Sequence, residues 1–180
     1  MQVFDLWIPI VASGFASHVL STIAWTAIHH HDREWNKAPN EDRLMDEIAK
    51  GIPPGQYIYP HTCDGKEAAT QEFKDKQKKC SGILIVWPKP IHMGKAIGLT
   101  FTYFMVIAFV IGYLASLALP AGSSFLKVFQ FATTCAMLPF CLGQFPFVFW
   151  FRRTVLLEVI DGLVFAIATG LIFASLWPAS

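Results

Sequence analysis

"AIGLTFTYFMVIAFVIGYLASLAL", residues 96–119, runs through 24 positions without a charged side chain. As a helix it would be about 36 Å long, enough to cross a hydrocarbon core of about 30 Å. Three other stretches read the same way: about Val3 to Ile28, about Phe125 to Phe149 and about Val155 to Trp177. "PAGSS" joins the second stretch to the third, and "WFRRT" joins the third to the fourth. Such short links predict antiparallel neighbours. The expected fold is therefore an all-α membrane protein. Residues 1–29 supply the first helix of a four-helix transmembrane bundle, and residues 96–180 supply the other three. Between them, residues 30–95 form a small cytoplasmic α/β insertion.

Composition agrees. The 180 residues are 54% hydrophobic and 15% charged, with mean hydropathy +0.45. A soluble domain usually carries about 25% charge. A net charge of +1, with no basic stripe interleaved with aromatics, gives no basis for a nucleic-acid partner. The N-terminal stretch lacks the basic start of a signal peptide: its first charge is Asp5, and no Lys or Arg precedes Arg33. It reads as a retained helix.

Basic residues set the expected orientation. Residues 30–95 hold eleven of the 14 Lys and Arg, the link after the third helix adds Arg152 and Arg153, and Lys127 falls on the opposite side. The positive-inside rule then puts both termini outside and the insertion in the cytoplasm, in a bacterial inner membrane. The insertion also carries ten acids, so the residues nearest the helix ends carry the weight: Arg33, Lys89, Lys95, Arg152 and Arg153. Cys63 and Cys80 would then stay reduced. Cys135 and Cys141 read as small packing residues.

Within the insertion, "PNEDRLMDEIAKG" predicts a helix with Asn40 as N-cap and Gly51 as stop. "QYIYP" and "GILIVWP" read as strands. The polar helix between them has little to bury but Phe73. The crossover is long enough for parallel strands, and an antiparallel pair is the alternative. Two strands alone are marginal in water, so the sheet is expected to rest on helix ends or on another subunit.

Polar residues inside the apolar stretches are the first functional candidates. His18 borders a face of Ser13, Ser17 and Ser21; it is either a neutral imidazole bonded across a helix interface or a functional group. Gly162, Ala166, Gly170 and Ala174 form a small-residue stripe, expected to pack on that serine face. Glu158 and Asp161, at the start of the fourth helix, either complement its dipole or form an ion or proton site. Gln144 lies between Pro139 and Pro146, either in a kink or beside freed carbonyls that line a cavity.

"HHHD", residues 29–32, is the densest cluster of ligand-type side chains. Adjacent residues on a helix point about 100° apart, so three consecutive histidines cannot share one ion unless the helix ends there. His30 and His31, with His61, His92 and Cys63, would offer a Zn²⁺ site. A haem held by two histidines is a further reading. Against both stands an interfacial belt, with Trp25 and Trp35 bracketing the cluster. No nucleophile elbow, phosphate loop or metalloprotease motif occurs. Three functional classes follow: a non-catalytic accessory or assembly subunit, as a homo-oligomer or in a larger complex; an oligomeric transporter or channel lined by His18, Gln144 and Asp161; and a metal- or haem-binding redox protein.

Overall fold

A computed structural model describes residues 1–151 and 154–179; Arg152 and Arg153, which enter the orientation argument, lie outside the described residues. The chain is mostly helical and divides into two compact units. One comprises Met1–Trp35 and the chain from His92 onward, the other Asn36–Ile91. Residues 30–35 fold with the first unit because His30 and His31 bond to Asp161. His92 joins it by capping the helix that follows.

In the first unit, a 3-10 turn at Val3–Leu6 leads into α1 (Trp7–Ile23). Later come α5 (Met93–Ala118), α6 (Phe125–Phe140), α7 (Phe145–Phe151) and α8 (Leu156–Ser175). The second unit holds α2 (Glu41–Gly51), β1 (Gly55–Tyr59), α3 (Gly65–Ala68), α4 (Gln71–Lys79) and β2 (Gly82–Val86). Among the described residues, four helical segments are long and apolar enough to cross a membrane: Val3–Ile28, Met93–Ala118, Phe125–Phe151 and Leu156–Ser175. These properties are those of a multi-pass integral membrane protein.

The third segment is interrupted where the prolines fall. Pro139 sits in the last turn of α6, a 3-10 turn follows at Leu142–Gln144, and Pro146 lies in the first turn of α7. A proline tolerates a first turn, whose N–H groups have no helical partner.

Small residues mark the closest approaches in the first unit. Gly14 lies against Met105 and Phe104 of α5, and Gly112 of α5 lies against Ile10 of α1. Gly162 and Gly170 face α6, at Phe140 and at Thr133 with Phe129. The stripe on α8 therefore packs its glycines on α6, not on the serine face of α1. The reason is steric: the α6 backbone comes close, with the Phe140 carbonyl against Gly162 and the Thr133 hydroxyl and Phe129 carbonyl against Gly170, where a Cβ would collide. Against α1, α8 makes a polar contact as well, Ser17 Oγ to Thr169 Oγ1 at 3.5 Å, both buried. Above it Phe104, Phe140 and Phe165 meet partly edge to face, with Phe165 at 5.6 Å and 5.9 Å from the other two.

In the second unit the strands pair antiparallel, Gly55 opposite Val86 and Tyr59 opposite Gly82. The parallel alternative fails because α3 and α4 return the chain to the end of β1 that it left. Asp64 and Thr70 cap those two helices. Asn40 occupies the N-cap position of α2, but with φ of 54° and no side-chain cap. Phe73 is the buried side chain of α4.

Candidate functional site

The triple histidine stands where the first helix stops. After Ile23 the helix widens into one π turn, Ala24–Ile28. His29 then takes a left-handed conformation, φ 55° and ψ 20°, which a non-glycine residue adopts only occasionally. That residue ends the helix and starts a 3-10 turn, His30–Glu34. Leaving the helix removes the 100° divergence between neighbours. His30 and His31 swing to one side, with ring centroids 4.3 Å apart. His29 stays at the surface, 3.6 Å from Asp32.

The partner comes from α8, some 130 residues later. Asp161 bonds to both rings: Oδ1 to His30 Nε2 at 3.1 Å, and Oδ2 to His31 Nε2 at 2.9 Å. His31 Nδ1 meets Glu34 Oε2 at 2.8 Å. The side chain of His31 is 2% exposed, Glu34 10% and Asp161 13%. The indole of Trp25 stacks on the His31 ring, centroids 4.0 Å apart and planes 8° apart.

Both nitrogens of His31 therefore face carboxylates. Burial lowers the pKa of the ring, but hydrogen bonds to Glu34 and Asp161, and their charges, outweigh it and raise the pKa above the usual 6.5. As an imidazolium, His31 donates to both acids. In that form it fastens the end of the first helix to the start of the last.

Glu158 and Gln144 belong to the same place. Together with His31, Asp161, Trp25 and Tyr103 they line a cavity of about 120 Å³, room for a few waters. Within 4.8 Å of one another lie ligand atoms of His30, His31 and Asp161, and likewise those of His31, Glu34 and Glu158. Other candidates fall elsewhere. His18 packs against Phe101 and Phe104 and lines a separate groove with Ser21, Thr22 and Thr100. His61 and Cys63 are exposed in the second unit, 3.8 Å from each other. His92 caps α5, its Nδ1 accepting from the Lys95 N–H at 3.2 Å.

Sequence reasoning grouped His30 with His31, and Asp161 with Glu158 or with Gln144, but did not join the histidines to the acids. It missed Glu34 and the role of Trp25. Glu34 stands three residues after His31, a spacing that lets the two meet within one turn.

Comparison with family models, with curated proteins and with solved structures finds no match.

Proposed function

We propose that the chain is an integral membrane protein whose four apolar helices form a transmembrane bundle, and that it serves as an accessory or assembly subunit. The second unit lies on the cytoplasmic side of a bacterial inner membrane, with both termini outside. The observation that carries the reading is a bare strand face. The antiparallel register puts Ile58, Ile83 and Ile85 on one face of the sheet. They are 57%, 41% and 56% exposed. An uncovered apolar face on a two-stranded sheet is unfavourable in water, and a second chain laid over it removes that cost.

Two features favour this reading over transport by one chain. The centre of the helical unit is filled by Ala115, Val128, Ala132, Ala136, Ala166 and Phe173, each 0% exposed. The polar candidates for a path also divide: His18 lines one groove, while Gln144 and Asp161 line another cavity.

The test is mass measurement in lipid nanodiscs drawn directly from the native membrane. The expected result is an assembly heavier than one chain that Ile58→Asp with Ile85→Asp disrupts, leaving a folded single chain. A lone wild-type monomer overturns the proposal. Orientation is tested separately: a membrane-impermeant thiol reagent should reach the exposed Cys63 and Cys80 only after the membrane is opened.

A further inference from the structure

The geometry points to a divalent transition-metal site formed by His30 Nε2, His31 Nε2 and Asp161, with Glu34 as the positioning residue behind His31. This set differs from the one the sequence suggested: Asp161 takes the place of His61, His92 and Cys63.

The spacing comes first. Zinc binds imidazole nitrogen at about 2.0–2.1 Å and carboxylate oxygen at about 2.0–2.2 Å, so its neighbouring ligand atoms stand about 3–3.5 Å apart. The Asp161 oxygens lie 3.1 Å and 2.9 Å from the two Nε2 atoms. Ligand atoms from all three residues fall within 4.8 Å of each other. An ion would sit in the place of the protons that now link them.

Charge supplies the second argument. Among the described residues, the ion pairs of Glu34 and Asp161 run to histidine alone. When the imidazoles are neutral, they no longer supply positive charge to these nearly buried carboxylates. Buried charge needs compensation, and a divalent ion between the rings supplies positive charge there. Among the described residues, Glu34 Oε1 and His30 Nδ1 are also buried without a hydrogen-bond partner, so the cluster is not saturated by its own contacts.

Chemistry sets the class of ion. Two imidazoles and a carboxylate suit Zn²⁺, Fe²⁺ or Co²⁺; Ca²⁺ and Mg²⁺ prefer all-oxygen sets. With an ion on Nε2, His31 keeps its proton on Nδ1 and donates it to Glu34 at 2.8 Å. A carboxylate behind a metal-bound histidine fixes the tautomer and the ring direction. Trp25 holds the same ring by its face. The adjacent cavity of about 120 Å³ leaves a side of the ion open to water or to a small exchangeable ligand. Loading displaces the proton shared by His31 and Asp161, so binding releases a proton to solvent.

The experiment uses the full chain, purified without a histidine tag, stripped with chelator and titrated with Zn²⁺ and, separately, Co²⁺. The expected result is about one ion per chain, a visible Co²⁺ spectrum, and X-ray absorption with two imidazoles and no sulfur in the first shell. Asp161→Asn and His30→Ala should each weaken binding roughly tenfold or more. Glu34→Gln should weaken it about 10–100-fold while the Co²⁺ spectrum keeps its two-imidazole character. His61→Ala and His92→Ala should bind as wild type. A wild-type ratio near zero overturns the site, as does full binding in a His30→Ala, His31→Ala double variant. Sulfur in the first shell, pointing to cysteine, overturns it as well. The X-ray absorption result is read on wild type, so it stands even if a variant fails to fold.

Discussion

The two units solve opposite packing problems. In the helical unit alanines line the interior beside a few large rings, and many large apolar side chains face outward: Ala108, Ala132 and Ala166 are buried with Phe104 and Phe173, while Leu117, Leu126 and Val110 are 69%, 60% and 46% exposed. In the unit from Asn36 to Ile91, α4 exposes its lysines and buries its phenylalanine. Water drives the second arrangement, because apolar area removed from it is the main source of stability. Lipid gives no such drive, so helices there associate through close packing, and small residues allow it. Two parts of one chain thus draw their stability from different sources.

The largest expected effect tests whether the units stand apart. Phe73→Ala removes the buried ring of α4, 7% exposed; such truncations cost about 3–5 kcal/mol. Hydrogen exchange should rise across residues 36–91 and stay at the wild-type level in α6 and α8. Exchange rising equally in both would mean that they unfold as one.

Gly170→Leu should come next. A side chain there meets Thr133 and Phe129 of α6, and overpacking costs about 1–3 kcal/mol. The melting temperature in detergent should fall, whereas Gly65→Ala, with nothing within 4 Å, should leave it nearly unchanged. Equal effects would mean that closeness of packing does not separate the two units.

A smaller effect should follow pH in chelator-treated protein. The His31 pKa is raised in the fold, so its contribution is fully present below the unfolded value of about 6.5 and is lost as pH rises through the folded one. Among the described residues, Glu34, Asp161, His30 and Glu158 are the titratable groups near it. Stability of the helical unit should decline on raising the pH from 6.5, and Glu34→Gln should flatten the decline. A wild-type profile that climbs over this range would contradict the imidazolium clamp.

The smallest is His29→Gly. At φ 55° glycine relieves left-handed strain of about 1–2 kcal/mol but adds freedom to the unfolded chain. The net change should be a slight gain, within about 1 kcal/mol. A clear loss would mean that the His29 contact with Asp32 matters more than the turn.

The spans were legible because a bilayer demands long uninterrupted apolar runs, and residues 96–119 meet that demand without reference to anything distant. The partner of the α8 glycines was not legible. Their spacing announces a packing face, but which helix brings its backbone against it is set by tertiary packing that the spacing does not record. The site was half legible. His30, His31 and Asp161 each stood out, yet their meeting depends on the left-handed turn at His29, which histidine seldom adopts. The direction of β2 was open for a similar reason: strand composition does not record which way the connection brings the chain back.

The link between His31 and Asp161 also sets an order of events in biogenesis. The two residues are 130 positions apart. At about 5–20 residues per second, a ribosome needs roughly 7–26 s to pass from one to the other. During that interval α1 can dock on α5, but its terminal histidines wait without their aspartate. The cluster therefore closes only once the start of α8 has been made, and a nascent chain that stalls before α8 would never close it.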